Sequence, residues 1–223
     1  SSMKIIKLLD CVEALDEEIK EGMGHDEHEH KSDDPGEHEH EAGEGEAITS
    51  AEEEAEYDEH VWTSPQNAIA ITNTIRDVLC CVDGGNAETY RANAGKYTAQ
   101  LEELDAEFRE TVENASRKTI VFGDRFPLRY FTEAYGLDYW AAFPGCSAET
   151  EPSAATIAFL IDKITEEKIP VVFKIELSSA NVAQSISEAT GAKVLTFHSC
   201  HNLSKKEFEV GATYLSFMRQ NIE

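Results

Sequence analysis

Eight histidines give this chain most of its chemical possibilities, and His60 has the most distinctive surroundings. It lies in the stretch 57–65, directly after Asp58 and Glu59 and two residues before Trp62. A neutral imidazole beside carboxylates and an apolar wall is a suitable donor for Zn²⁺ or Mn²⁺. The same pattern fits a histidine that packs against Trp62 at the approach to a helix. His60 is therefore a candidate metal ligand, with a structural role as the alternative.

Five further histidines lie in an acidic tract at residues 24–56 that lacks helical or strand periodicity. The tract has few apolar residues to offset the entropy cost of ordering, so we expect it to be disordered. Imidazoles two or three residues apart among carboxylates hold Zn²⁺ loosely, which predicts a low-affinity metal-collecting loop. The alternative is an acidic solubilising linker. The five residues are His25, His28, His30, His38 and His40.

The charge of −25 is concentrated at the start of the chain, with −18 in residues 1–60 and −7 in residues 61–223. This balance excludes nucleic acid and anionic membrane surfaces as partners, because both require a basic face. It suits the binding of cations. The five cysteines form no C-x-x-C pair and are interpreted mainly as small buried apolar residues.

Two helices are predicted after His60. Ser64 caps the first, which has Pro65 in its first turn and ends at Gly84-Gly85. The second covers about 28 residues within 87–116, or roughly 40 Å, which is enough to cross two lobes. A coiled coil with a partner helix is the alternative interpretation of its apolar stripe.

From residue 117 onwards, short apolar runs alternate with helical patterns, which predicts an α/β fold with a four-stranded parallel sheet flanked by helices. A further strand at 4–9 and a helical segment at 12–19 precede the acidic tract. The predicted strands are 119–122, 139–143, 170–175 and 193–197, and the helices are 126–135, 152–167, 179–190 and 204–221.

Ligands of parallel sheets bind at the carboxyl ends of the strands, so residues that follow strands are site candidates. Asp124 presents a carboxylate there, although an aspartate in this position also commonly caps a helix. His198 and His201 follow the last strand and are candidate ligands, with hydrogen-bonded structural roles as the alternative. Cys200 between them fits a zinc thiolate but is better explained as a small buried residue.

The remaining charged residues at the strand ends are expected to be structural. We interpret Glu149, Glu151 and Glu176 as helix caps or salt-bridge partners, and Arg125 and Arg129 as charge compensation. The sequence contains no P-loop, no G-x-G-x-x-G turn, no H-E-x-x-H and no nucleophile–base pattern.

Four stretches together resemble the substrate-binding components of zinc and manganese ABC importers. They are residues 57–65 after a His-rich loop, the helix at 87–116, residues 122–137 with the series F-G-D-R-F-P-L-R-Y-F, and residues 141–151 with A-A-F-P-G-C-S-A-E-T-E. The resemblance covers essentially the whole chain. It implies two α/β lobes joined by a rigid helix, with the metal ion held between them.

The resemblance also implies a ligand set. His60 matches a ligand of the family's motif before the first helix, and Asp124 is the nearest match to a ligand between strand and helix. His198 takes the place of a final carboxylate ligand, with His201 in reserve. Zn²⁺ is the expected ion and Mn²⁺ the alternative.

The resemblance further implies that residues 1–23 are the remnant of a first lobe whose earlier part, including one ligand, precedes this chain. Residues 24–56 are then the His-rich loop, 57–86 the metal motif and a helix, 87–116 the spanning helix and 117–223 the second lobe. The implied function is the capture of zinc outside the cell for an ABC permease, without catalysis. Membrane association would come only from a lipid anchor outside this fragment. A zinc-dependent hydrolase and a metal buffer acting through the loop are the alternatives.

Overall fold

The computed structural model describes residues 3–23, 56–145 and 151–223. Within these ranges two long helices precede a region in which strands and helices alternate. The strands are β1 (Thr119–Phe126), β2 (Asp138–Pro144), β3 (Val171–Ile175) and β4 (Lys193–Phe197). The helices are α1 (Pro65–Val82), α2 (Ala87–Asn114), α3 (Arg129–Tyr135), α4 (Ala154–Glu167), α5 (Asn181–Thr190), α6 (Lys205–Glu209) and α7 (Tyr214–Gln220).

The four strands form one parallel sheet in the order β2-β1-β3-β4, which confirms the predicted α/β fold. Strand β2 lies on one side of β1, and β3, the next strand in the chain, lies on the other side of β1. Strand order therefore reverses between β1 and β3. In open parallel sheets a crevice forms at such a point, outside the carboxyl ends of the strands.

Side chains alternate between the two faces of the sheet, and helices cover both faces. Val121 and Val172 point to the face covered by α4 and α5. Phe122 and Phe197 point to the other face, where they pack with apolar residues of α2, α3 and α7. The inner strand β1 is largely buried on both faces and begins with a continuous apolar run, which is why the sequence predicted it well. The edge strand β4 is more open, with Leu195 47% exposed.

Helices α1 and α2 follow the predicted pattern. The Ser64 hydroxyl accepts a hydrogen bond from the Asn67 amide at the start of α1, and Pro65 occupies the first turn. The 28 residues of α2 give a rod of about 42 Å. Its predicted apolar stripe is buried at Leu101, Leu104 and Phe108 among others.

The first predicted elements are wrong. Leu8–Cys11 forms one turn of 3-10 helix instead of the strand expected at 4–9. In place of a helix at 12–19, an isolated antiparallel bridge joins Asp16 to Tyr57. A strand needs a neighbour to satisfy its backbone groups, and in the described part of the chain Ile5 has none and is 74% exposed. The His-rich loop prediction lies outside the described residues.

The last helix and the first strand also differ from the prediction. The helix expected at 204–221 is divided into α6 and α7, because Gly211 takes a left-handed φ of +76° and Thr213 starts a new capping box. Strand β1 continues to Phe126, and α3 begins only after Pro127. In residues 3–23, 56–145 and 151–223, no helix combines the length and apolarity needed to cross a bilayer.

Candidate metal centre

A cleft of about 510 Å³ opens where the strand order reverses. Arg125 and Pro127 contribute to it from the end of β1, and Glu176 contributes from the end of β3. His60 reaches it from the segment before α1, and His201 from the loop after β4. The topology thus brings together two imidazoles that lie 141 residues apart in the sequence.

His60 is oriented by a buried carboxylate. The imidazole side chain is 8% exposed, and its Nδ1 lies 3.0 Å from Oδ1 of Asp58, whose side chain is 2% exposed. The same oxygen accepts the backbone N–H of His60 at 2.7 Å. With Nδ1 donating to Asp58, the lone pair that remains is on Nε2. A carboxylate behind a histidine in this way fixes the tautomer and strengthens the imidazole as a metal ligand.

The segment that carries His60 is pinned to the second half of the chain. The Tyr130 hydroxyl donates to the carbonyl of Asp58 at 2.9 Å, and the Tyr214 hydroxyl donates to the carbonyl of Trp62 at the same distance. The Thr63 hydroxyl donates to the His60 carbonyl at 2.8 Å. These bonds hold the segment in place before any ligand arrives, which lowers the entropy cost of binding.

Glu176 holds the loop that carries His201. Its carboxylate accepts hydrogen bonds from the amides of Ser199, His201 and Asn202 and from the Ser199 hydroxyl, at 2.7–3.2 Å. Burial raises the pKa of Glu176, but donation from Ser199, Asn202 and other groups outweighs it, so the pKa lies below its usual value. The residue is therefore an ionised anchor for the loop after β4. It does not cap the next helix, α5, as the sequence suggested, because the N-cap of α5 is Ala180 and has no side-chain cap.

Trp62 packs against both imidazoles. The ring centroids of Trp62, His60 and His201 form a triangle with sides of 5.5, 5.6 and 5.8 Å. The Trp62 indole N–H also donates to the Ser199 carbonyl at 3.0 Å, which ties the two segments together. Two imidazoles on one tetrahedral zinc ion have centroids about 5 Å apart. The observed 5.8 Å between the centroids of His60 and His201 is somewhat longer than this.

Asp124 lies in a neighbouring cleft of about 450 Å³. One of its oxygens accepts the Arg125 amide at 2.8 Å, and the other accepts the Ile175 amide at 3.0 Å and the Ser178 hydroxyl. Asp124 thus ties β1 to the end of β3. It does not cap α3, whose N-terminus at Leu128 has no side-chain cap.

His198 is directed elsewhere. Its ring stacks on Phe217 with centroids 4.5 Å apart, and its backbone N–H and C=O bond to the side chain of Asn221. It is not among the described residues that line the His60 cleft. Burial raises the pKa of the Cys200 thiol to about 12, so a thiolate there is strongly disfavoured.

The structure therefore does not gather His60, Asp124 and His198 around one point. In the described ranges no group of three or more His, Cys, Asp or Glu side chains is arranged to hold a metal ion. What the structure does bring together is His60 with His201, the residue that the sequence placed in reserve. Sequence reasoning also missed Asp58 as the partner of His60, although its position two residues earlier was a usable signal.

The expected ion pairs are only partly visible. Glu149 lies outside the described residues, and Glu151 lines the neighbouring cleft. Arg129 pairs with Glu18 and Glu133 at 3.5 and 3.0 Å. Arg129 thus joins the first segment of the chain to α3 and is not among the described residues that line the cleft.

Comparison with known families agrees with the fold. The profile of the ZnuA family, described as "Zinc-uptake complex component A periplasmic", matches residues 2–223. The chain belongs to this family of zinc-uptake substrate-binding proteins.

Individual relatives are named for zinc. The chain is 31% identical over 202 residues to the zinc-binding protein AdcA of Streptococcus pyogenes, which covers 91% of this chain and 38% of that protein. It is 32% identical over 166 residues to the high-affinity zinc uptake system protein ZnuA of Bacillus subtilis, covering 74% of this chain and 51% of that protein. The chain therefore matches about two-fifths to one-half of the length of these relatives.

A solved structure has the same fold. The Zn(II)-bound ZnuA-like domain of Streptococcus pneumoniae AdcA aligns with a TM-score of 0.64 and 31% identity, over 74% of this chain and 61% of that one. The family resemblance expected from the sequence is thus confirmed.

Proposed function

We propose that this chain binds Zn²⁺ as cargo in the cleft between His60 and His201 and delivers it to the permease of an ABC importer. The observation that carries the proposal is a pair of imidazoles facing one cleft, one of them held by the buried carboxylate of Asp58. Imidazole donors suit zinc better than manganese, which prefers oxygen ligands. Two imidazoles leave further coordination positions open on a four-coordinate ion.

Binding without catalysis fits the chemistry of the cleft. A zinc hydrolase needs a general base beside the metal-bound water. Glu176 is the buried carboxylate among the described cleft residues, and both its oxygens already accept hydrogen bonds. The family description also places its members in the periplasm as uptake components. We therefore propose an extracytoplasmic location and no enzymatic role, with any membrane attachment through a lipid anchor.

Zinc competition against a fluorescent chelator tests the cleft against the His-rich loop. We expect His60→Ala to remove the tightest site and deletion of residues 24–41 to remove only weaker ions. Circular dichroism confirms that each variant is folded. Tight binding that survives His60→Ala but disappears with the deletion would overturn the proposal in favour of a metal buffer.

A further inference from the structure

The two imidazoles of the cleft are positioned in different ways. Asp58 bonds directly to the ring of His60. Glu176 instead accepts the backbone amide of His201, so it fixes the loop while the side-chain torsions of His201 still decide where its ring lies. In the described part of the chain, the aromatic contacts of the His201 ring are with Trp62 and His60. The position of the second imidazole therefore depends on packing.

Trp62 is itself held on two sides. Its carbonyl accepts the Tyr214 hydroxyl at 2.9 Å, and its indole N–H donates to the carbonyl of Ser199 at 3.0 Å. Its side chain also packs against the cluster that contains buried Val61. Ser199, two residues before His201, is only 1% exposed, so the acceptor of the indole lies in a fixed part of the loop. The indole is thus in place before any ion binds.

The indole ring meets both imidazoles at an angle. Its centroid lies 5.5 Å from that of His60 and 5.6 Å from that of His201, with interplanar angles of 59° and 64°. Tilted and edge-to-face contacts at such distances are the arrangements that aromatic rings prefer. Because one rigid side chain contacts both rings, it sets their positions relative to each other.

We propose that Trp62 is the positioning residue for His201, and that it keeps the second imidazole where one zinc ion can bind it together with His60. This inference rests on the proposed function. Trp62 offers no lone pair to the metal ion, since an indole N–H only donates. It acts on the ion through His201, as outer partners do, and loss of such partners typically costs about 10- to 100-fold in metal affinity.

A double-mutant cycle in the zinc affinity of the full chain tests the inference. Trp62→Phe keeps an aromatic ring but removes the indole N–H and part of the contact surface. We expect it to weaken the tightest zinc site by about tenfold or more. In a His201→Ala background the same substitution should change zinc affinity by less than about twofold, because the ring that Trp62 positions is absent. Circular dichroism confirms that each variant is folded.

Trp140→Phe provides a matched control. Trp140 is the other tryptophan of the chain; it lies on β2 against Phe159, and its indole nitrogen has no hydrogen-bond partner among the described residues. Its substitution should leave zinc affinity unchanged. An unchanged affinity in Trp62→Phe, or an equal loss with and without His201, would overturn this inference and leave the proposed function intact. Zinc binding that survives both His60→Ala and His201→Ala would overturn the proposed function itself.

The indole N–H signals in proton–nitrogen correlation spectra provide a test without any substitution at residue 62. The chain has two tryptophans, so Trp140→Phe assigns the signal of Trp62. We expect the Trp62 indole N–H to be protected from exchange with solvent both before and after zinc is added, because its bond to Ser199 does not depend on the ion. Rapid exchange in the zinc-free protein would overturn the inference.

Discussion

Two clefts of similar size lie side by side at the carboxyl ends of β1 and β3, and both are lined by Arg125 and Ser178. In one of them Asp124 uses both carboxylate oxygens to bind protein donors. In the other, His60 uses one ring nitrogen to bind Asp58 and keeps the second available. Both residues are 6% exposed, so burial alone does not distinguish them. They differ in their hydrogen bonds: the Asp124 carboxylate accepts three from the protein, whereas the ring of His60 makes one, to Asp58.

Asp124 therefore has a structural role, whereas His60 and His201 form a candidate metal site. Asp124 joins two strands, and three of the roughly four lone-pair sites of its carboxylate accept hydrogen bonds from the protein. Asp58 orients the ring of His60, and Glu176 fixes the backbone of the loop that carries His201. Both histidines line the cleft. Both arrangements lie where parallel sheets bind ligands, but only the second resembles a metal ligand with its supporting shell.

The largest expected effect comes from removing an imidazole of the pair. His201→Ala should weaken the tightest zinc site by more than the roughly 10- to 100-fold that loss of an outer partner costs, because a direct donor is lost. His198→Ala is the matched control from the same loop and should change zinc affinity little. Zinc competition measures both. If His198→Ala weakened zinc binding more than His201→Ala, His198 would be the ligand, as the sequence predicted.

Loss of the Asp58 carboxylate, which orients His60, should have the next largest effect on zinc affinity. Asp58→Asn keeps the size of the side chain but removes the charge that orients His60, and zinc affinity should fall by about 10- to 100-fold. Asp77→Asn, on the exposed surface of α1, is the control. Unchanged affinity in Asp58→Asn would show that the charge of Asp58 does not strengthen His60 as a metal ligand.

Substitution of Asp124, in the neighbouring cleft, should lower the stability of the protein and leave zinc affinity nearly unchanged. Asp124→Asn replaces an acceptor oxygen with a donor that faces the Ile175 amide and the Ser178 hydroxyl, so the free energy of unfolding should fall by about 1–3 kcal/mol. Zinc affinity should stay within a few-fold of the original value. Urea denaturation and zinc competition measure the two quantities, with exposed Asp162→Asn as control. A large loss of zinc binding with unchanged stability would make Asp124 a ligand.

The smallest effect is expected at the anchor of the His201 loop, and it depends on pH. The folded pKa of Glu176 lies below its ordinary value of 4.5, so the ionised carboxylate stabilises the fold fully above that value and loses this contribution as pH falls through the folded pKa. Glu176→Gln should therefore lower the melting temperature at neutral pH, and the difference should shrink in acid. Exposed Glu166→Gln serves as control. A difference that is constant with pH would exclude an ionised anchor.

The sequence predicted the sheet and α2 because continuous apolar runs and a long apolar stripe leave few alternatives. It failed at residues 4–19, where apolar residues such as Ile5 find no strand partner in the described ranges. It could not show that His201 and not His198 lines the cleft, because the path of the loop after β4 decides which ring faces it. The loop path is set by Glu176 and Trp62, which lie far away in the sequence.

Anomalous scattering at the zinc edge from crystals of the zinc-loaded protein tests the central claim most directly. The account predicts a peak between His60 and His201, at about 2.0–2.1 Å from a ring nitrogen of each. A principal peak beside Asp124 or His198, with none between His60 and His201, would contradict it.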